Sequence, residues 1–149
     1  MVNLNKIANK IASNSSEITY NKKGDKEYRI NGLLHREDGP AVERKNGNKL
    51  WYIDNKLHRK DGPAVELENG DKFWYSNGEY HREDGPAIEQ INGHKEWYIN
   101  GKRHRKDGPA IKYADGEKLW YLNGYRIKYD PETWDQVVNE NEIEIIMSD

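Results

Sequence analysis

Four histidines stand three residues ahead of four aspartates: His35 and Asp38, His58 and Asp61, His81 and Asp84, His104 and Asp107. An imidazole beside a carboxylate can bind a metal or move a proton. The spacing argues against a shared centre. Each pair recurs every 23 residues, and if each recurrence adds two strands at about 4.8 Å, equivalent histidines stand on the order of 10 Å apart. Ligands of one ion must all lie within about 2.3 Å of it. A single pair offers only two ligands, and no Ser, Cys or further acid recurs beside it. The expectation is therefore no catalytic residue, no metal site and no cofactor. Asp-Gly-Pro reads better as turn material, with the aspartate capping amides, the glycine taking an unusual φ and the proline opening a strand. The histidine then packs and hydrogen-bonds across the connection.

The period that places these pairs also places Pro40, Pro63, Pro86 and Pro109, and Trp51, Trp74, Trp97 and Trp120. A fixed spacing over four copies means one unit stacked on itself. A half copy precedes them, with Gly24 and Tyr28 one period ahead of Gly47 and Trp51. Within each copy, Asn46-Gly47, Asn69-Gly70, Asn92-Gly93 and Asp115-Gly116 suit two-residue type I′ hairpin loops. That loop sets Val65 opposite Trp74 and Glu66 opposite Phe73. One face then carries Val65, Trp74 and their equivalents as the core, and the other carries Ala64, Glu66, Phe73 and Tyr75. Glu37, Lys60, Glu83 and Lys106 alternate at one position and suggest a charge ladder from copy to copy.

The fold class expected is mainly β: an elongated, twisted antiparallel sheet of stacked 23-residue hairpin repeats, about 4.5 copies, with a capping helix at each end. Leu4, Ile7, Ala8, Ile11 and Ala12 give residues 1–16 an amphipathic stripe. Residues 17–129 form the array. Residues 130–149 form an acidic cap helix, with Asp130 as N-cap, Pro131 at the first helical position and Trp134, Val137 and Val138 facing inward. The three segments make one domain.

Composition narrows the functional classes. Hydrophobic residues make up only 34% of the chain, yet 16 aromatics argue against disorder. There is no cysteine, so no disulfide framework or thiolate nucleophile. Seven of the 26 acids lie in 130–149, which holds none of the 24 basic residues. The remainder is net positive by five but evenly mixed, without the clustered basic patch that nucleic acid demands. No run is long enough for a membrane span and no secretory segment opens the chain, so a soluble, cytoplasmic protein is expected.

The run Trp97-Tyr98-Ile99-Asn100-Gly101-Lys102-Arg103-His104, the 23-residue period and the hairpin units resemble MORN (membrane occupation and recognition nexus) repeat proteins. The likeness is narrower to the MORN-like variants of bacterial and viral proteins, including an antitoxin-like group, and covers roughly residues 17–129. Asp-Gly-Pro-Ala stands where that family usually has Gly-x-Gly, and adjacent Trp-Tyr replaces its Tyr-x-Gly-x-Trp. The resemblance implies an elongated sheet, often with a helix in its groove, that contacts proteins or membranes and has no catalytic residues.

Positions set by the fold repeat, so positions set by a partner are free to differ between copies. The slots that vary hold Arg44, Leu67, Gln90 and Tyr113; Lys45, Glu68, Ile91 and Ala114; Asn48, Asp71, His94 and Glu117; and Leu57, Tyr80, Arg103 and Arg126. From these, Tyr80, Ile91, His94 and Arg103 are the candidate partner-binding residues, joined by the half-exposed row Tyr52, Tyr75, Tyr98 and Tyr121. The expected function is a non-catalytic protein-binding module, occupying its partner as an antitoxin or a phage-encoded inhibitor of host defence does. The alternative is a scaffold associating with a phospholipid surface. Neither nucleic acid nor a small-molecule substrate is expected.

Overall fold

The computed structural model describes residues 16–147. The half copy supplies β1 (Ser16–Tyr20), β2 (Lys26–Ile30) and β3 (Leu33–Leu34). Copy 1 supplies β4 (Val42–Glu43), β5 (Lys49–Leu50), β6 (Tyr52–Ile53) and β7 (Lys56–Leu57); copy 2 supplies β8 (Val65–Glu66), β9 (Lys72–Phe73), β10 (Tyr75–Ser76) and β11 (Glu79–Tyr80). Copy 3 repeats the set as β12 (Ile88–Glu89), β13 (Lys95–Glu96), β14 (Tyr98–Ile99) and β15 (Lys102–Arg103), and copy 4 as β16 (Ile111–Lys112), β17 (Lys118–Leu122) and β18 (Tyr125–Ile127). The long sheet runs β1-β2-β4-β5-β8-β9-β12-β13-β16-β17-β18, with β3 on β2, while β6-β7, β10-β11 and β14-β15 are separate pairs. Each copy is thus two hairpins in succession, one more than the sequence suggested.

The first hairpin corrects the expected loop. Leu67 N–H donates to Asp71 O at 2.9 Å and Gly70 N–H to Leu67 O at 2.9 Å. Gly70 has φ 96° while Asn69 keeps an ordinary negative φ. This is a type I turn closed by a glycine bulge, a three-residue loop rather than a two-residue one. The asparagine selects it: Asn69 Oδ1 accepts from Asp71 N–H at 3.0 Å, and Asn46, Asn92 and Asp115 bond in the same way two residues on. The type I′ turn occurs instead in the second hairpin, where Asn77 and Gly78 have φ 51° and 88°.

The added bulge residue shifts the register by one. Val65 faces Phe73, not Trp74, and Glu66 faces Lys72. A one-residue shift moves every side chain across the sheet, so the faces differ from those expected. Val42, Leu50, Val65, Phe73, Ile88, Glu96, Ile111 and Leu119 share one face with Tyr52, Tyr75, Tyr98 and Tyr121. The tryptophans lie on the other, with Ala41, Ala64, Ala87 and Ala110, each wholly buried. Val42, Leu50 and Val65 form a core cluster against Leu34, Tyr52, Leu57, Phe73 and Tyr75.

The C-terminal cap is as expected from the sequence. Asp130 Oδ1 accepts from Glu132 N–H at 2.9 Å and its carbonyl from Trp134 N–H at 2.9 Å, opening α1 (Trp134–Met147). Trp134 is buried and donates through Nε1 to Lys106 O at 2.7 Å. Tyr129 stacks on Trp120 at 4.3 Å and meets Trp134 edge-on at 5.7 Å. In earlier copies an arginine covers the tryptophan; here Tyr129 and the helix take that place. The half copy also behaves as one, since Tyr28 accepts the same arginine stacking as the tryptophans. The N-terminal helix expected from Leu4 to Ala12 lies outside the described residues. No helix among the described residues is long and apolar enough to cross a membrane.

Candidate functional site

On the tryptophan face the recurring residues bond to one another. Arg36 lies 3.9 Å over Tyr28, Arg59 3.9 Å over Trp51, Arg82 4.0 Å over Trp74 and Arg105 4.0 Å over Trp97. Arg82 also donates to Asp84 (2.8 Å), Pro86 O (3.1 Å) and Glu89 (2.8 Å). The Arg36 and Arg82 guanidinium groups hold Asp38 and Asp84 below the ordinary carboxylate range. Asp38, Asp84 and Asp107 therefore serve arginine, and the glycine beside each turn aspartate keeps an ordinary φ, contrary to expectation. It is glycine for space: a Cβ on Gly85 would stand 2.8 Å from Arg82 Cζ.

The histidines do not pair with those aspartates. His58, His81 and His104 accept through Nδ1 the N–H of Asn77, Asn100 and Asn123, each at 3.1 Å and each in the type I′ turn of the same copy. His35 bonds to Asp54 at 2.8 Å. Each histidine thus ties the start of its copy to the turn that ends it. Among the described residues, no group of three or more His, Cys, Asp or Glu is disposed to hold a metal ion. Of the alternating charges, Glu37 and Glu83 stand 3.8 Å from His35 and His81 of their own copies.

The tyrosine face departs from the repeat. At one in-register position the copies hold Leu50, Phe73, Glu96 and Leu119. Glu96 is buried, only 9% exposed. Its carboxylate accepts from Arg103 Nε at 2.8 Å and Tyr98 Oη at 2.9 Å, and bonds to His94 Nε2 at 2.9 Å. Burial pushes this carboxyl up, but the bonds from Arg103, His94 and Tyr98 outweigh it and hold the group below its ordinary value. Burial, with Glu96 beside it, pushes the Tyr98 phenol up to about 12. Tyr80 stacks on Tyr75 at 4.3 Å and lies 5.1 Å from Tyr98. Arg103 lies 5.6 Å and 5.5 Å from the Tyr98 and Tyr121 rings.

Of the eight residues chosen from the sequence, Tyr75, Tyr80, His94, Tyr98, Arg103 and Tyr121 are brought into this one constellation. Tyr52 packs with the apolar cluster of copy 1. Ile91 stands apart on the row of bulged turns, 70% exposed, its N–H bonded to Asp71 Oδ1 at 2.9 Å. Glu96 was not among the candidates. Aligning the copies shows it as a lone acid among Leu and Phe, but the register was needed to set it between Ile88 and Ile111 on a buried face.

The tyrosine face is built of fixed ion pairs and stacked phenols. No protein-family model matches the chain, and no curated protein matches it.

Proposed function

We propose that the chain is a non-catalytic protein-binding repeat module whose tyrosine face, centred on copy 3, receives its partner. The observation that carries this reading is Glu96. Three copies fill its position with apolar side chains, so stacking does not require an acid there. A buried carboxylate costs several kcal/mol in desolvation before its partners offset it. Copy 3 carries that cost together with Arg103 and His94, and Tyr80 of copy 2 lies 5.1 Å from its Tyr98; all three are among the slots that vary. Half-buried tyrosines beside an arginine are the side chains that anchor protein interfaces.

We attach to this a mode of action by occupation, in which the module blocks its partner's surface as an antitoxin or a phage-encoded inhibitor does. The test is affinity capture from the native cell with three baits: wild type, Tyr80→Ser/Arg103→Gln, and Glu83→Lys on an exposed turn. A partner held by wild type and Glu83→Lys but lost by the double variant supports the reading. Equal capture by all three contradicts it.

A further inference from the structure

We infer that the partner carries a carboxylate set against Arg103, next to apolar side chains that lie over copies 1 and 2; this rests on the protein-binding reading above. One row of the tyrosine face runs Leu34, Leu57, Tyr80, Arg103, Arg126, changing from apolar to cationic along the array. At its apolar end the half-buried Leu34, Leu57 and Tyr52 pack over Val42, Leu50 and Val65. That end suits aliphatic or aromatic side chains.

The cationic end is built to receive an anion. Arg103 spends only Nε, on Glu96, and its Nη1 and Nη2 make no hydrogen bond among the described residues. Its side chain is 38% exposed. Arg29, at the start of the array, offers a contrast: Nε and Nη2 go to Glu27 and Nη1 to Gly32 O, so each of its three nitrogens already holds a partner. Glu96 is already filled by Arg103, His94 and Tyr98 and serves to hold the guanidinium by one edge. The Tyr98 and Tyr121 rings confine its plane. What remains is a pair of parallel N–H donors, the fork that matches a carboxylate. Because Glu96 already balances part of the charge, a singly charged group fits better than a phosphate. Arg126, exposed and next on the row, adds a second cation.

Two copies separate Leu57 from Arg103, about 20 Å at two strands per copy. An extended segment covers that span in about six residues and a helix in about thirteen. Selection of roughly sixteen-residue displayed peptides on the full chain tests the inference, since such peptides cover about 20 Å even as a helix. Enriched peptides should pair an Asp or Glu with apolar residues at one of these spacings. Their binding should fall about tenfold or more in Arg103→Gln. It should fall equally in Glu96→Leu/Arg103→Tyr, which gives copy 3 the apolar chemistry of copies 1 and 2 and guards against misfolding as the cause. Enriched peptides without acids, or with acids indifferent to both variants, overturn this inference and leave the protein-binding reading standing. Peptides that bind regardless of Tyr75, Tyr80 and Arg103 substitutions, or no enrichment at all, overturn both.

Discussion

At the scale of the residue, Glu96 is where copy 3 departs from what stacking requires. Removing one partner of an ion pair is costly where the other stays buried, but Arg103 is 38% exposed, so water can replace the carboxylate, and the neighbouring copies show that Leu fits the position. Glu96→Leu is therefore expected to stay within about 1 kcal/mol of wild type at neutral pH in urea denaturation. Its pH dependence has a defined sign. A carboxyl held below its ordinary value of 4.5 in the fold contributes fully above that pH and loses its contribution as pH falls through the lower folded value. Glu96→Leu should consequently gain on wild type between about pH 6 and pH 3. A constant difference in urea midpoint across that range would show that the carboxylate is not held as described.

At the scale of the element, the Arg-Asp-Gly-Pro unit acts as a clamp. Gly85→Ala drives a Cβ into Arg82, which is pinned by Trp74, Asp84 and Glu89. The expected loss is about 1–3 kcal/mol, and Arg82→Ala should absorb much of it in a double-mutant cycle. Strict additivity of the two changes would remove the steric account. The repeat itself, the β class and the C-terminal cap were legible in the sequence, because Trp spacing, turn residues and the Asp130-Pro131 start are local signals. The register was not. Asn-Gly serves both a type I′ loop and a type I turn with a glycine bulge, and the Oδ1 bond to the residue after the glycine chooses the second. That single residue moved Val65 and its equivalents from the tryptophan face to the tyrosine face, where they bury Glu96.

At the scale of the whole molecule, a stacked array must cover its last tryptophan, and Trp134 with Tyr129 does so over Trp120. Trp134→Ala should cost about 3–5 kcal/mol and raise amide exchange first in copy 4; exchange rising evenly along the array would contradict nearest-neighbour stacking. Flotation with anionic vesicles addresses the phospholipid alternative. The protein-binding reading expects the chain to stay unbound at low salt, and salt-sensitive flotation would favour the other. The proposed contact between the tyrosine face of copy 3 and a partner protein is open to crosslinking. Its most direct test places the photo-crosslinking residue p-benzoylphenylalanine at Tyr80, and separately at Asp61 on an exposed turn of the array, and irradiates both proteins in the native cell. The account predicts one discrete protein adduct from Tyr80 and none of that mass from Asp61. An adduct from Asp61 alone, or none from Tyr80, would contradict it.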